Sequence, residues 1–600
     1  MEPFLVDRTH YERQDPRTPG GLRALCAFNR INALSCIKGA EHGWLGASFS
    51  VAELLTVLYF RLGERQVVLS KGHAAAMQYA CLHGVGLLER AQLLRYQDGP
   101  GGLPAHTERG TPGIPFTTGS LGQALSRTAG LALDRPAERF FVVLGDGELQ
   151  EGQCFEALQN VVYRDLRQVR TIVDANGFQT ELPVDHLKHV PDPRRVFEGL
   201  GLEVREVDGH DPEALAAALD APVERPLVVW ARTRKAGGTD LLPPEDGRQP
   251  WHSRVPDDAL YRRLVEEQVV RSGSAELRAE LERHPWGPSR PRPGRAAPEP
   301  STRDGFTRRL EALLDERPEL EVLDADLAKA CGLERIAARG RQFHELGIAE
   351  QDLVSFAGGR ALAGRLPVVH TYAAFYRRAL DQLQLNQIDR LRVIYAGHYA
   401  GLCYFTDGRT HQSTNDLSLM LALPELWVVE PPDAHHAAAL LDWAVAEADR
   451  AVYFRLRRTP LALGLPRGTV RPDRPLVLGD DLRRCFWTIG PVSTRLALEA
   501  RATPVFSDFG VVVQSVLRGP CDLEHLRGLL GSTEEIVTIE EDLAPGALHT
   551  FVAGICRRLE LTPRLAGKSI DRRGASFRTL DACLDHFGFR PDGLPAPGRR

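Results

Sequence analysis

The chain has 600 residues, enough for three or four domains, and its 43% hydrophobic and 26% charged content is that of an ordinary globular protein. A net charge of −5, with arginines outnumbering lysines but scattered among acids, gives no reason to expect nucleic acid or an anionic membrane as partner. No run approaches the roughly 18 apolar residues of a membrane span, the N-terminal stretch lacks a signal-peptide core, and the ten cysteines form no CxxC pair. A cytoplasmic chain without structural zinc or disulfides is expected.

Along the chain, Val142–Gly152 (VVLGDGELQEG) is an apolar run that ends in a tight acidic turn. Alone, it is also what an ordinary strand-to-loop turn looks like. Gln153–Leu166 then places Phe155, Leu158 and Val161 or Val162 at helical spacing, and Val169–Glu181 (VRTIVDANGFQTE) is a short strand running into an Asn-Gly turn. Strand, helix and strand make a parallel βαβ unit. Asp146 and Asn176 therefore both fall at carboxyl ends of strands in one sheet, the edge where open α/β sheets bind ligands. A carboxylate, an amide oxygen and a nearby peptide carbonyl suit Mg²⁺, whose shell substrate phosphates often complete, and the flanking glycines let the backbone approach a diphosphate.

Arg283–Arg303 is too rich in Pro, Gly and Arg to pack, and reads as a linker. Beyond it, apolar strands are expected in Leu320–Ala328, Leu366–Phe375, Leu391–Gly397 and Leu426–Pro431, and again in the stretches CFWTIG, TPVFSDFG and EIVTIEED. The expectation is an α/β chain of three domains with mainly parallel sheets: 20–282, a linker at 283–301, 302–466 and 475–600.

Six blocks in order carry a resemblance: LSKGHAAA (Leu69–Ala76), FTTGSLGQALS (Phe116–Ser126), GDG followed about thirty residues later by Asn176, VDGHDPEAL (Val207–Leu215), HELGIAEQD (His344–Asp352) and TDGRTHQS (Thr406–Ser413). Together they resemble the transketolase-like family of thiamine diphosphate enzymes, nearly end to end. The resemblance implies a diphosphate-binding domain, a pyrimidine-binding domain and a C-terminal domain. It also implies a homodimer with cofactor sites between subunits, and transfer of a two-carbon ketol unit from a ketose donor to an aldehyde acceptor through the cofactor's ylide.

By the same resemblance, Glu350 is the acid beside the aminopyrimidine ring, with Tyr372 and Phe375 as an aromatic wall and Asp326 as an acid near that ring. Tyr372 and Phe375 are also three apart, a spacing that suits helix core packing. For proton sharing, burial should raise the Glu350 carboxyl. Asp146, Asn176 and the carbonyl of Phe178 match Mg²⁺ ligands; Gly119, Ser120, Leu121 and Gly147 line the cofactor. Glu151 and Glu156 match acids linking the two sites of a dimer, although Glu156 also reads as an exposed helix charge. His73, His106, His252 and His411 match site histidines, Asp407 an acid reading a substrate hydroxyl, and Arg303 and Arg458 a phosphate clamp.

The chain departs from the family pattern around the substrate. Trp44 stands where His usually precedes an LGAS-like segment, with His42 two residues earlier. Tyr399, with His398 beside it, replaces a phosphate-contacting His, and Ala330 replaces a Ser. A complete cofactor site with a remodelled substrate pocket is expected. A deoxyxylulose-phosphate-synthase-like or 2-oxo-acid-decarboxylating enzyme is the alternative, since GIAEQ resembles that branch too. A catalytically silent cofactor-binding subunit is a third reading.

Overall fold

A computed structural model describes residues 2–188, 190, 192–287, 299–544 and 546–598. Most of the linker expected at 283–301 lies outside the described residues. Before it, the helix Ala275–Arg283 ends; after it, Ser301 and Asp304 form a reciprocal capping box on the helix Thr302–Glu316.

The first of three main sheets holds five parallel strands in the order Val67–Leu69, Phe140–Gly145, Val169–Ala175, Leu227–Arg232 and Glu203–Asp208. Its central strands are near-continuous apolar runs because helices cover both faces of a parallel sheet. The crossover helix Gly152–Tyr163 buries Cys154, Ala157, Leu158 and Val161, while Phe155 is half-buried. Because all five strands run the same way, Ser70–His73, Asp146, Asn176 and Thr233–Lys235 leave the sheet at one edge.

The second sheet runs Val516–Arg518, Trp427–Val429, Val452–Arg455, Ile394–His398, Leu366–Tyr372, Leu320–Asp324 and Phe343–Glu345; only the pairing of Val516–Arg518 is antiparallel. Asp326, Glu350, Phe375, Tyr399 and Arg458 follow its strands at their carboxyl ends. The third sheet has the order Leu476–Leu478, Gly510–Gln514, Arg484–Ile489, Glu535–Leu543 and Arg564–Ile570, with Leu476–Leu478 antiparallel. One expected strand is displaced: in TPVFSDFG, Pro504–Phe506 is a 3₁₀ turn and the strand begins only at Gly510. Pro504 fixes its own φ and has no N–H for a ladder, so the β-branched run of valines after Gly510 forms the strand instead.

The chain divides into two compact units. The first comprises Met1–Pro293 with two short returns, Thr406–Thr410 and Ala575–Arg578; the second holds the remainder and both later sheets. Within the second unit, Leu323, Val369 and Tyr395 share one core with Trp487, Val512 and Ile536. Arg455 and Arg457 are fully buried there, ion-paired to Asp416, Glu430 and Glu541. Among the described residues, no helix is long and apolar enough to cross a membrane.

Candidate active site

Two groups of the expected residues assemble, one in each unit. In the first unit, the parallel register sets Gly145 beside Asp174, so the turns that follow the two strands meet. Asp146 Oδ2 accepts a hydrogen bond from Gly177 N at 2.7 Å and Oδ1 from Gly147 N at 2.9 Å. Burial, and secondarily the Asp174 charge, push the Asp146 carboxyl up to about 6.

Asn176 Nδ2 donates to Asp174 Oδ2 at 2.9 Å, while its Oδ1 accepts from Phe178 N at 3.1 Å. Asp174 is 0% exposed and also takes Ser50 Oγ at 2.7 Å, Thr233 Oγ1 and the Lys71 ammonium. Burial alone would raise that carboxyl; Lys71 and these donors hold it below the ordinary value. A carboxylate that can only accept thus fixes which end of the Asn176 amide faces away from it. Lys235 Nζ donates to the Thr180 carbonyl at 2.7 Å and reaches that of Phe178 at 3.4 Å.

Glu148, one residue beyond GDG, collects the neighbouring loops. It accepts from Ser70 Oγ, from Gly122 N at 2.8 Å and from Gly145 N at 3.1 Å. Those bonds fasten the SKGH segment and the turn Gly119–Leu121 to the strand end. Gly119 has φ +111°, and a Cβ there would lie 2.8 Å from Thr410 Oγ1 and 3.0 Å from the His106 ring. Only glycine fits such a cradle. Ser120 Oγ accepts from Gln123 Nε2 at 2.7 Å. Glu151 is 2% exposed at the N-cap of the crossover helix, whereas Glu156 lies on its exposed face.

The histidines gather around Trp44. Its ring centre is 4.7 Å from His106, 5.4 Å from His42 and 6.3 Å from His73, and His73 lies 5.6 Å from His252. Asp407, on a short return of the chain, accepts from His106 Nδ1–H through its carbonyl at 3.2 Å. The Asp407 carboxylate Oδ1 stands 3.4 Å from His42 Nε2. Burial holds His73 well below, and His106 below, the ordinary imidazole range, so both are neutral near pH 7.

In the second unit, Glu350 opens the helix Glu350–Leu362 and is 5% exposed. Among the described residues its Oε2 accepts no hydrogen bond; the Arg378 guanidinium stands 3.5 Å away, an ion-pair distance. Burial raises the carboxyl to about 7. Tyr372 and Phe375 do not share a helix face: Tyr372 ends a strand, Phe375 begins the 3₁₀ turn Phe375–Ala379, and their rings stack at 5.0 Å. His411 meets Phe375 edge-on at 5.2 Å.

Tyr404, which no sequence motif flags, completes an aromatic group with Tyr399 at 4.3 Å and Tyr372 at 5.4 Å. Arg458 Nη1 donates to Tyr399 Oη at 2.8 Å. Arg303 donates to Asp304 Oδ1 and to the Ala330 carbonyl, the latter at 3.0 Å. His398 is fully buried behind Tyr399, within 2.9 Å of His370.

Comparison with known proteins agrees with this architecture. A family model of the transketolase thiamine diphosphate binding domain matches residues 23–240, and one of the transketolase pyrimidine binding domain matches 298–462. Human transketolase-like protein 2 is 28% identical over 613 aligned positions, covering 95% of this chain and 96% of its own. The 1-deoxy-D-xylulose-5-phosphate synthase of Myxococcus xanthus is 29% identical over 600 positions, covering 96% of this chain and 95% of its own. A solved transketolase from Leishmania mexicana aligns with 21% identity and a TM-score of 0.44, covering 96% of each chain. The chain belongs to the transketolase-like, thiamine-diphosphate-dependent enzymes.

Glu148→Ala removes the acceptor for three donors, from two loops and one strand end. It is expected to destabilise the protein by about 2–4 kcal/mol, read from urea unfolding. A change under about 0.5 kcal/mol, the range of an uninvolved surface substitution, would show that the loops are held by other means.

Proposed function

We propose that the protein transfers a two-carbon ketol unit from a ketose to an aldehyde, with thiamine diphosphate and Mg²⁺ as cofactors. The observation that carries this reading is Glu350: a buried carboxyl whose Oε2 has no hydrogen-bond donor among the described residues and which burial raises to about 7. Such an acid can share a proton with a ring nitrogen near neutral pH. Bound thiamine diphosphate supplies the carbon nucleophile that carries the transferred unit.

The chain's residues bind and orient it in this reading. Tyr372 and Phe375 wall the pyrimidine, Asp326 lies near it, and the glycine-rich segments Gly119–Leu121 and Gly147 leave room for the diphosphate. Asp146, Asn176 and the Phe178 carbonyl form an all-oxygen donor set fit for Mg²⁺. Among the described residues no group of three or more His, Cys, Asp or Glu could hold a metal; this set has one such side chain and relies on the diphosphate for the rest. Glu151 belongs to the link between cofactor sites. His73, His106, His252 and His411, with Asp407, exchange protons with sugar hydroxyls.

A homodimer is part of the proposal. Phe356 and Leu362 on the Glu350 helix, and Leu385 and Ile388 on the helix Leu380–Ile388, are exposed apolar side chains of the kind that mark interfaces. A cytoplasmic location fits ten cysteines without a disulfide. Domain limits of 20–282, 302–466 and 475–600, with a linker at 283–301, are part of the same reading. The Myxococcus relative supports a second reading, decarboxylation of a 2-oxo acid, which carbon dioxide release from pyruvate would reveal.

Glu350→Gln is expected to lower kcat about 100-fold or more while cofactor still binds. Near-normal kcat in the folded variant would contradict the assignment. For the substrate, Arg303 and Arg458 are the available phosphate clamp, yet Arg458 is engaged by Tyr399 and Arg303 by Asp304 and Ala330. We expect kcat/KM for non-phosphorylated ketoses to match or exceed that for xylulose 5-phosphate. Tyr399→His should improve the phosphorylated substrate about tenfold, the worth of one charged hydrogen bond. High efficiency with the phosphorylated pentose, unimproved in the variant, would instead indicate an ordinary sugar phosphate pocket.

A further inference from the structure

The strands Leu320–Asp324 and Phe343–Glu345 are parallel neighbours, and their last residues, Asp324 and Glu345, are register partners. Side chains of register partners project from the same face of a sheet, so two carboxyl groups stand side by side. Glu345 Oε1 accepts from Asp326 N at 2.8 Å and from Gly347 N at 2.9 Å. Asp324 Oδ2 accepts from Leu327 N at 2.7 Å. Asp324 Oδ1 is buried and, among the described residues, finds no donor if both groups are ionised. A buried carboxylate oxygen without a donor is costly, and the neighbouring acid supplies a donor once one of the two is protonated.

We propose that Asp324 and Glu345 share one proton, and that this acid–carboxylate pair is the positioning element for Asp326 and Glu350. The pair binds both loops that carry those residues. One is the turn after Asp324, where Asp326 is held at φ +58°, an uncommon conformation for a residue with a side chain. The other is the segment through Gly347 (φ +72°) into Ala349, the N-cap of the Glu350 helix. The positioning role rests on reading Asp326 and Glu350 as cofactor-facing; the shared proton does not.

Burial raises both carboxyls, Asp324 the further; the Glu345 charge adds to the rise at Asp324, whereas the hydrogen bond from Asp324 works against the rise at Glu345. The titratable groups facing the pair are Asp326, Cys331 and Tyr376. An acid whose folded-state pKa is raised retains a proton that the unfolded chain releases. Its stabilising contribution is therefore full below the ordinary carboxylate range and is lost as pH rises toward the folded value. Glu345→Gln keeps an oxygen for the two backbone N–H groups and presents Asp324 with a permanent N–H donor, removing that loss. Asp324→Asn does the same from the other side.

The test uses the full chain without cofactor for melting, then thiamine diphosphate with Mg²⁺ titrated in by calorimetry. Between about pH 5 and about pH 8.5, the Tm of Glu345→Gln should rise steadily relative to wild type. The raised Glu350 is common to both proteins and cancels. Glu345→Gln and Asp324→Asn should bind the cofactor within about threefold of wild type, and Glu345→Ala about tenfold or more weakly. Parallel Tm profiles would overturn the shared proton. Equal cofactor affinity in Glu345→Ala, or a tenfold loss in both isosteric variants, would overturn the positioning role. Should Glu345→Ala fail to fold, the two isosteric variants decide alone. Diverging profiles in a wild-type protein that binds no thiamine diphosphate would retire the cofactor-facing reading, and the positioning role with it, and leave the shared proton standing.

Discussion

The candidate-site edge of each unit depends on wholly or partly buried carboxylates that gather backbone N–H groups from loops leaving parallel strands. A parallel sheet ends in a row of loops with no ladder partners, and nothing in the strands themselves decides how those loops lie. In the first unit, Asp146 ties its own turn to the one at Gly177, and Glu148 ties Ser70, Gly122 and Gly145 together. In the second, Asp324 and Glu345 fasten the loops that lead to Asp326 and Glu350. Asp146, Glu148 and Glu345 each accept bonds from segments apart in sequence, so one side chain sets the geometry of several.

Such groups are expensive to bury, and the fold answers in two ways. Asp174 is given a full counter-charge in Lys71 and donors from Ser50, Thr233 and Asn176, so it stays ionised. Glu350 is given little beyond Arg378 at ion-pair distance, and its carboxyl rises to about 7. Two acids in one protein thereby reach opposite protonation preferences through their surroundings alone. Burial likewise keeps His73 and His106 neutral, at His106 in spite of the nearby Asp407 charge. Glu350 is thereby left able to carry a proton near neutral pH, whereas Asp174 is held ionised by its partners.

Much of this was legible in the residues. Asp146 and Asn176 could be assigned to one sheet edge because an apolar run, a helical spacing and a second apolar run force a βαβ unit. Glu156 could be read as an exposed helix charge from its place on that helix. Other features were not legible, because they depend on register or on long-range contacts. Nothing near GDG announces that Glu148 reaches Ser70 and Gly122, and the pairing of Asp324 with Glu345 exists only once two strands align. Tyr372 and Phe375 were ambiguous, since a spacing of three fits a helix face as well as the strand end and 3₁₀ turn that hold them. TPVFSDFG misled because Pro504 sits inside an apolar run whose strand starts later.

The central claim is that the oxygens at the two strand ends hold a metal–diphosphate group. The direct measurement is calorimetric titration of thiamine diphosphate into the wild-type chain with Mg²⁺, into the same chain with chelator, and into Asp146→Ala with Mg²⁺. Removing one charged ligand, or the ion, should weaken binding about tenfold or more. Equal affinity in all three titrations would contradict the account.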